Sequence, residues 1–440
     1  MAQSNIAFLN ELLHSVGSRM RQNRFAKPSR EKAAVQIGKS CADLLRRTGE
    51  ASQIAVAEQA LAAYTQLTED EKLQFFQSLL HDYGAEPAEV RRAFATWDAD
   101  PTQSALAALF NAVEPKRQSL LRALNQAPGA TLQLVRMRQD LLRLIRKTPD
   151  LAPLDADFSH LFASWFNRGF LVMRKIDWHS PAAILEKLVS YEAVHEIRDW
   201  DDLRRRLDPP DRRCYGFFHP ATGDEPLIFV EVALCHGIPD AIGPLLSERQ
   251  QSAEHPDTAV FYSISNCQPG LKGVSFGNFL IKQVVSDLSG ELPHIRNFAT
   301  LSPVPGFAAW LVAQSDPEAE RLTAELQEAD WQSDPELRDR LEPAVKGWAA
   351  QYITQAKNET GAPADPVARF HLGNGASAHR LNWPGDLAES ALARAHGVMI
   401  NYLYEHDRIE ARHEAFANDG TVACGPDLRR TLKQHRTTPA

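Results

Sequence analysis

Cysteine is scarce in this sequence and follows no pattern. Cys41, Cys214, Cys235, Cys267 and Cys424 form no C-x-x-C pair across 440 residues, so neither a zinc site nor a disulfide framework is indicated and a reducing compartment fits. A basic surplus is also missing. With 48 Lys and Arg against 56 Asp and Glu the formal charge is −8, the wrong sign for a binder of phosphate backbones, so no nucleic-acid partner is expected. No apolar run approaches the roughly 18 residues of a membrane span, and the opening "MAQSNIAFLNELLHSVGSRMRQNRF" lacks the apolar core of a secretory signal. Its arginines lie on an amphipathic pattern of the kind transit peptides use, but Glu11 and the leucine spacing fit an ordinary first helix better. The closing "RTTPA" is not a peroxisomal address. A cytoplasmic protein without a membrane partner is the expectation.

What is present points to two domains, because single cores stop growing at roughly 250 to 300 residues. Residues 1–160 carry apolar side chains at helical spacing and almost nothing that reads as strand. In "TEDEKLQFFQSLLHDYG", Thr68 and Glu71 form a capping box, Leu73, Phe76, Leu79 and Leu80 make one stripe, and Gly84 ends the helix. Pro115 and the "APGA" stretch break the pattern twice more. This predicts an all-α bundle, of the kind that more often serves assembly or docking than catalysis.

Residues 161–440 differ in texture. Ser180 at an N-cap with Pro181 at the first helical position opens a new unit. The β-rich runs "CYGFFHP", "PLIFVEVALC", "TAVFYSIS" and "NFATLSPV" follow, the last after the helix-like "GNFLIKQVVSDLSGEL". Strands, then a helix, then another strand predict an α+β or α/β sheet with a crossover. Beyond about residue 317 the pattern is helix-rich again. Between "VFYSIS" and that helix lies "NCQPGLKGVSFG", whose Gly270, Gly273 and Gly277 either allow tight packing or let the backbone approach an anion at a helix N-terminus. It is neither a Walker loop nor a dinucleotide fingerprint. "QPGLKG" instead resembles the turn with which GNAT acetyltransferases hold the pyrophosphate of coenzyme A.

"DEPLIFVEVAL", "FYSISNCQPGLKGVSFGNFLIKQVV", "FATLSPVPGF", "FHLGNGASAHRLNW" and "GVMINYLYE", in this order, resemble the malonyl-CoA decarboxylase family. The resemblance implies an α+β protein of two domains: a helical bundle that takes part in homo-oligomer formation, then a GNAT-like mixed-sheet domain that releases CO2 and acetyl-CoA from malonyl-CoA. By motif match it implies catalytic roles for Ser302 and for His371 as proton donor, and active-site positions at Ser263 and Tyr404. It also implies that Lys272, Gly273, Val274, Ser275, Phe276, Gly277 and Asn278 hold the CoA phosphates. Ser275 departs from the glutamate that animal members carry there, so no role of that carboxylate transfers.

The chemistry asks for such groups. Loss of CO2 leaves an enolate, so a donor must face the thioester oxygen and an acid must protonate carbon. The thioester is itself the electron sink, so no metal and no cofactor are expected. An imidazole near its ordinary pKa of about 6.5 suits His371 as that acid. Ser302 orients substrate rather than attacking it, since no G-x-S-x-G elbow surrounds it. Each residue also has a plainer structural use: Ser302-Pro303 as a turn start, His371 as a core histidine, Tyr404 as a core aromatic, Ser263 as a backbone partner. Asp224 and Glu225 read as turn caps, Glu231 as an edge or paired charge, and His219 as a turn residue. A CoA-dependent N-acyltransferase and a non-catalytic acyl-CoA sensor are the rival functions.

Overall fold

The structure, a computed structural model, describes residues 30–46, 49–247, 255–274, 279–328 and 330–437. The chain divides into two compact units, one of Met1–Trp165 with Pro269–Val274, the other of Phe166–Gln268 with Ser275–Ala440. No helix among the described residues is long and apolar enough to cross a membrane.

The first unit is helical. The predicted capping box is present: the Thr68 amide donates to Glu71 Oε2 at 2.7 Å and the Glu71 amide to Thr68 Oγ1 at 3.3 Å. The helix Glu69–His81 buries Phe75, Phe76 and Leu79, so its inward face centres on the phenylalanines, with Leu73 and Leu80 only half-buried. It stops before Gly84, with Asp82 as its cap.

The segment Pro269–Val274 packs onto the helix Ala130–Ile145. Arg138, 2% exposed, donates to the Gly270 and Lys272 carbonyls at 2.8 and 2.9 Å and to Asp155 and Ser159 at 2.7 and 2.8 Å. A Cβ on Gly270 would lie 1.9 Å from the Val135 carbonyl oxygen, so this glycine serves tight packing. Gly273 has φ +80° and open space around its Cα, so it serves the turn. We expect Gly270→Ala to destabilise the protein by several kcal/mol and Gly273→Ala by roughly 1 kcal/mol, the difference between a backbone clash and a left-handed φ; denaturant unfolding measures both.

The second unit is built on a mixed sheet of order β1-β2-β3-β4-β5-β8-β6, with β7 also paired to β8. The strands are β1 Val172–Ile176, β2 Arg212–Phe218, β3 Pro226–Cys235, β4 Thr258–Asn266, β5 Asn297–Thr300, β6 Ser302–Pro303, β7 Ser377–Asn382 and β8 Met399–Tyr404. Among the named strand pairs only β4 and β5 are parallel, and the helix Phe279–Glu291 makes the predicted crossover between them. On one face, the helices Ala182–Tyr191 and Trp200–Leu207 bury Ile184, Leu188, Leu203 and Leu207 against Cys214 and Phe229. Further along the same face, Ala233, Val260, Tyr262, Leu301 and Met399 form a second core, and on the opposite face Tyr215 donates to Asp287 of the helix Phe279–Glu291 at 3.0 Å.

Several local expectations change. Pro181, not Ser180, occupies the cap position, and the Ser180 hydroxyl accepts the Asp177 amide at 3.0 Å. Of the two readings of Glu231 the paired charge holds and the edge does not: it is fully buried on the interior strand β3, 3.3 Å from Arg206. Burial and the nearby Glu192 charge push its pKa up to about 8. Asp224 pairs with Arg174 and Glu225 accepts from Tyr191, so both engage neighbours rather than merely capping a turn. His219 is the turn residue expected, its Nδ1 accepting the Ala221 amide at 3.1 Å.

Candidate active site

The parallel pairing of β4 and β5 runs only from Thr258↔Asn297 to Phe261↔Thr300. Leu301 makes one last bond, its amide donating to the Phe261 carbonyl at 3.0 Å. The chain then leaves β4, and Ser302 and Pro303 pair with Ile400 and Met399 of β8 instead. Proline suits this departure because it has no amide hydrogen to offer a neighbouring strand. The Ser-Pro step that opened as a plain turn signal is thus the point where the sheet splits.

The split opens a cavity of about 350 Å³. Tyr262, Ile264 and Asn266 line it from the part of β4 beyond its pairing with β5, Ser302 and Pro303 from the departing strand, and Val367, Phe370 and His371 from the helix Pro366–Gly373. Those last three stand at i, i+3 and i+4, one face of a helix. Asp365 caps that helix, accepting the Ala368 amide at 2.8 Å, with proline at the first helical position. Burial pushes the Asp365 carboxyl up to about 6.

Three of the four catalytic candidates meet here. Ser302 Oγ lies 3.1 Å from His371 Nε2, and His371 Nδ1 lies 2.9 Å from the Tyr404 hydroxyl. Ser302 also bonds Thr300 Oγ1 at 2.9 Å, and the same Thr300 oxygen accepts the Tyr402 amide at 3.1 Å. Tyr402 stacks on the imidazole, ring centres 4.6 Å apart at 25°. The row Tyr404, His371, Ser302, Thr300 is one line of hydrogen bonds, and donation along it from the phenol leaves the proton of the imidazole on Nε2, beside Ser302. The expected imidazole pKa near 6.5 is corrected: burial pushes His371 down to about 3, because a charged ring loses its hydration there. It is neutral at pH 7 in the free protein.

That shift has a stability consequence. A depressed pKa gives stability that is present above about 6.5 and is lost as pH falls toward 3. We expect the stability advantage of the wild type over His371→Asn to shrink between pH 6.5 and 4, by up to about 1.4 kcal/mol per pH unit; thermal melts of both proteins across that range measure it.

Ser263 is not among the residues lining the cavity; its hydroxyl is 2.8 Å from Glu192 Oε2. Of the phosphate-binding candidates, Lys272 and Gly273 are exposed and Val274 is buried, while Ser275, Phe276, Gly277 and Asn278 lie outside the described residues. Sequence reasoning missed Thr300, Asp365 and Tyr402. Asp365-Pro366 is a readable helix start, and Thr300 lies two residues before Ser302, on the same face of an extended chain. Nothing in the local pattern marks Tyr402.

Comparison with known proteins gives a consistent picture. Residues 169–440 match the model of the malonyl-CoA decarboxylase C-terminal domain and residues 83–166 that of the malonyl-CoA decarboxylase N-terminal domain. A mitochondrial malonyl-CoA decarboxylase from the goose Anser anser anser is 36% identical over 324 residues, which are 66% of this chain and 64% of that protein. The chain therefore spans a little less than two thirds of that relative's length. The crystal structure of a malonyl-CoA decarboxylase from Rhodopseudomonas palustris superposes with a TM-score of 0.87 at 50% identity, covering 90% of this chain and 99% of the other. One from Agrobacterium vitis gives 0.85 at 48% identity, with the same coverage.

Proposed function

Because the chain belongs to the malonyl-CoA decarboxylase family, we propose that it converts malonyl-CoA to acetyl-CoA and CO2 in the cavity between β4 and β6. The observation that carries this reading is the 3.1 Å approach of Ser302 Oγ to His371 Nε2, two buried side chains in the wall of a largely apolar cavity.

The bond from C2 to the carboxylate carbon breaks, its electron pair moves toward the thioester carbonyl, and CO2 leaves. The enolate oxygen then needs a hydrogen-bond donor and C2 needs a proton. Ser302, whose proton is held only by the neutral Thr300 hydroxyl, turns it to the enolate oxygen or orients the malonyl group, and His371 supplies the proton from Nε2. One proton is taken from water per turnover. The malonyl carboxylate brings a negative charge beside an imidazole that burial keeps neutral, so substrate favours the protonated ring that the next step consumes. The low polarity of the walls weakens the hold on the carboxylate charge. Tyr404 holds the far nitrogen of the ring. No cofactor enters, because the thioester takes the electron pair.

The CoA phosphates are assigned to Lys272, Gly273, Val274, Ser275, Phe276, Gly277 and Asn278 on the family resemblance; the left-handed Gly273 and the exposed Lys272 support this. Five free cysteines suit a reducing compartment such as the cytoplasm. The reading includes a homo-oligomer formed through the helical unit. Helices Pro87–Ala99 and Gln103–Val113 bury only Ala105 between them and present Phe94 and Phe110, 51% and 70% exposed, with Val90, Leu106, Leu109 and Val113 along one apolar groove. Phe94→Asp with Phe110→Asp should lower the mass measured by light scattering; an unchanged mass removes this face from assembly.

Malonyl-CoA as the only organic reactant tests the function. Equal yields of CO2 and acetyl-CoA over many turnovers are expected. An acyltransferase would release no CO2 without an amine, and a sensor would bind without turnover.

A further inference from the structure

Glu192 follows the helix Ala182–Tyr191, and its carboxylate collects more donors than a helix end requires. Oε1 accepts the Val194 and His195 amides, each at 2.8 Å. The Ser263 hydroxyl lies 2.9 Å from Oε1 and 2.8 Å from Oε2, and Ser265 donates to Oε2 at 3.2 Å. The Ala193 amide donates to Ser265 Oγ at 3.2 Å. Segment 192–195 is thereby sewn to β4. Arg206 secures the next residues, donating to the His195 and Glu196 carbonyls at 2.8 and 2.9 Å. Val194, in the middle of this strap, lines the cavity of Ser302 and His371 together with Tyr262 and Ile264, the neighbours of Ser263 along β4.

We propose that Glu192 is a positioning residue of the acyl-CoA cavity: it fixes the Val194 wall, and Ser263 serves the site by holding Glu192 rather than by touching substrate. This deepens the decarboxylase reading and rests on it. A hydroxyl has a single proton, and with Glu192 taking it Ser263 has none left for a thioester oxygen. A bond to a carboxylate is roughly twice as strong as a neutral one, so a thioester carbonyl does not compete for that proton. Ser265 and Arg206 hold the Ala193 amide and the His195 and Glu196 carbonyls, but without Glu192 the amides of Val194 and His195 lose their acceptor and the Val194 wall is free to shift.

The test measures malonyl-CoA affinity by calorimetry and turnover by CO2 release, in Glu192→Ala, Glu192→Gln, Ser263→Ala, Ser263→Thr and the double Glu192→Ala/Ser263→Ala protein. Glu192→Ala should weaken binding by about tenfold or more, the range for a lost charge-assisted network, with kcat near the wild-type value. Ser263→Ala should weaken it less, Ser263→Thr should restore it, and the double variant should match Glu192→Ala alone. Glu192→Gln keeps the volume and one acceptor oxygen, so an intermediate affinity distinguishes a lost anchor from a misfolded chain. Loss of kcat in Ser263→Ala as severe as in Ser302→Ala overturns the proposal, as does a double variant whose loss is the product of the singles. A wild type that binds malonyl-CoA without releasing CO2 sinks the decarboxylase reading instead, and the affinity pattern then still decides the strap; equal affinities throughout overturn it.

Discussion

Replacing His371 with alanine is expected to lower kcat for malonyl-CoA by about 10²- to 10⁴-fold, the usual loss when a positioned acid is removed, while CoA affinity stays close to the wild-type value. The expectation follows from where the ring sits. His371 is buried on the cavity face of its helix, held at Nδ1 by Tyr404 and covered by Tyr402, with Nε2 toward Ser302. The variant also removes the group whose pKa burial holds near 3, so any loss of stability must be separated from the loss of rate. Thermal melts at pH 7 on the same preparation do this. A folded His371→Ala protein with wild-type turnover removes the imidazole from the mechanism.

Ser302→Ala is the second large effect, expected to lower kcat by about 10²- to 10³-fold, the range for a lost donor at a developing oxyanion. Ser302 is set by two constraints: the proline after it ends pairing with β4, and Thr300 fixes its hydroxyl at 2.9 Å. Removing the oxygen leaves His371 Nε2 and Thr300 Oγ1 without this partner, a stability cost of about 1 to 3 kcal/mol in a buried site. Ser302→Thr, if it keeps the hydroxyl in place, should retain part of the rate. A covalent mechanism would instead accumulate an acyl-enzyme on Ser302 in wild type, visible by mass spectrometry; none is expected.

How much of this was legible beforehand depended on whether a residue's role is local. The capping box at Thr68 and the four β-rich runs from 212 to 303 were readable because a cap and a short run of β-branched and aromatic residues are properties of neighbours along the chain. Strands β1, β7 and β8 were not read as strands: β1 is five residues with four polar or half-exposed faces, and β7 and β8 lie in a stretch dominated by helical periodicity. The meeting of Ser302, His371 and Tyr404 was reached through resemblance, since they are 69 and 33 residues apart and no local signal joins them. The ordinary pKa assigned to His371 failed for a related reason. Its value depends on complete burial beneath Tyr402, and burial is set by the tertiary packing of β8 against the helix. Gly270 and Gly273 show the same limit in miniature, one required by the Val135 carbonyl and the other by its own φ, though both stand in one short turn.

The double variant Ser302→Ala/His371→Ala puts the central claim to the most direct test. If the two side chains act as one unit on the same malonyl group, its turnover should be no lower than that of the worse single variant, within about threefold, because residues of one catalytic unit are strongly non-additive. A loss equal to the product of the two single losses would mean that they act independently, and the shared site described here would be wrong.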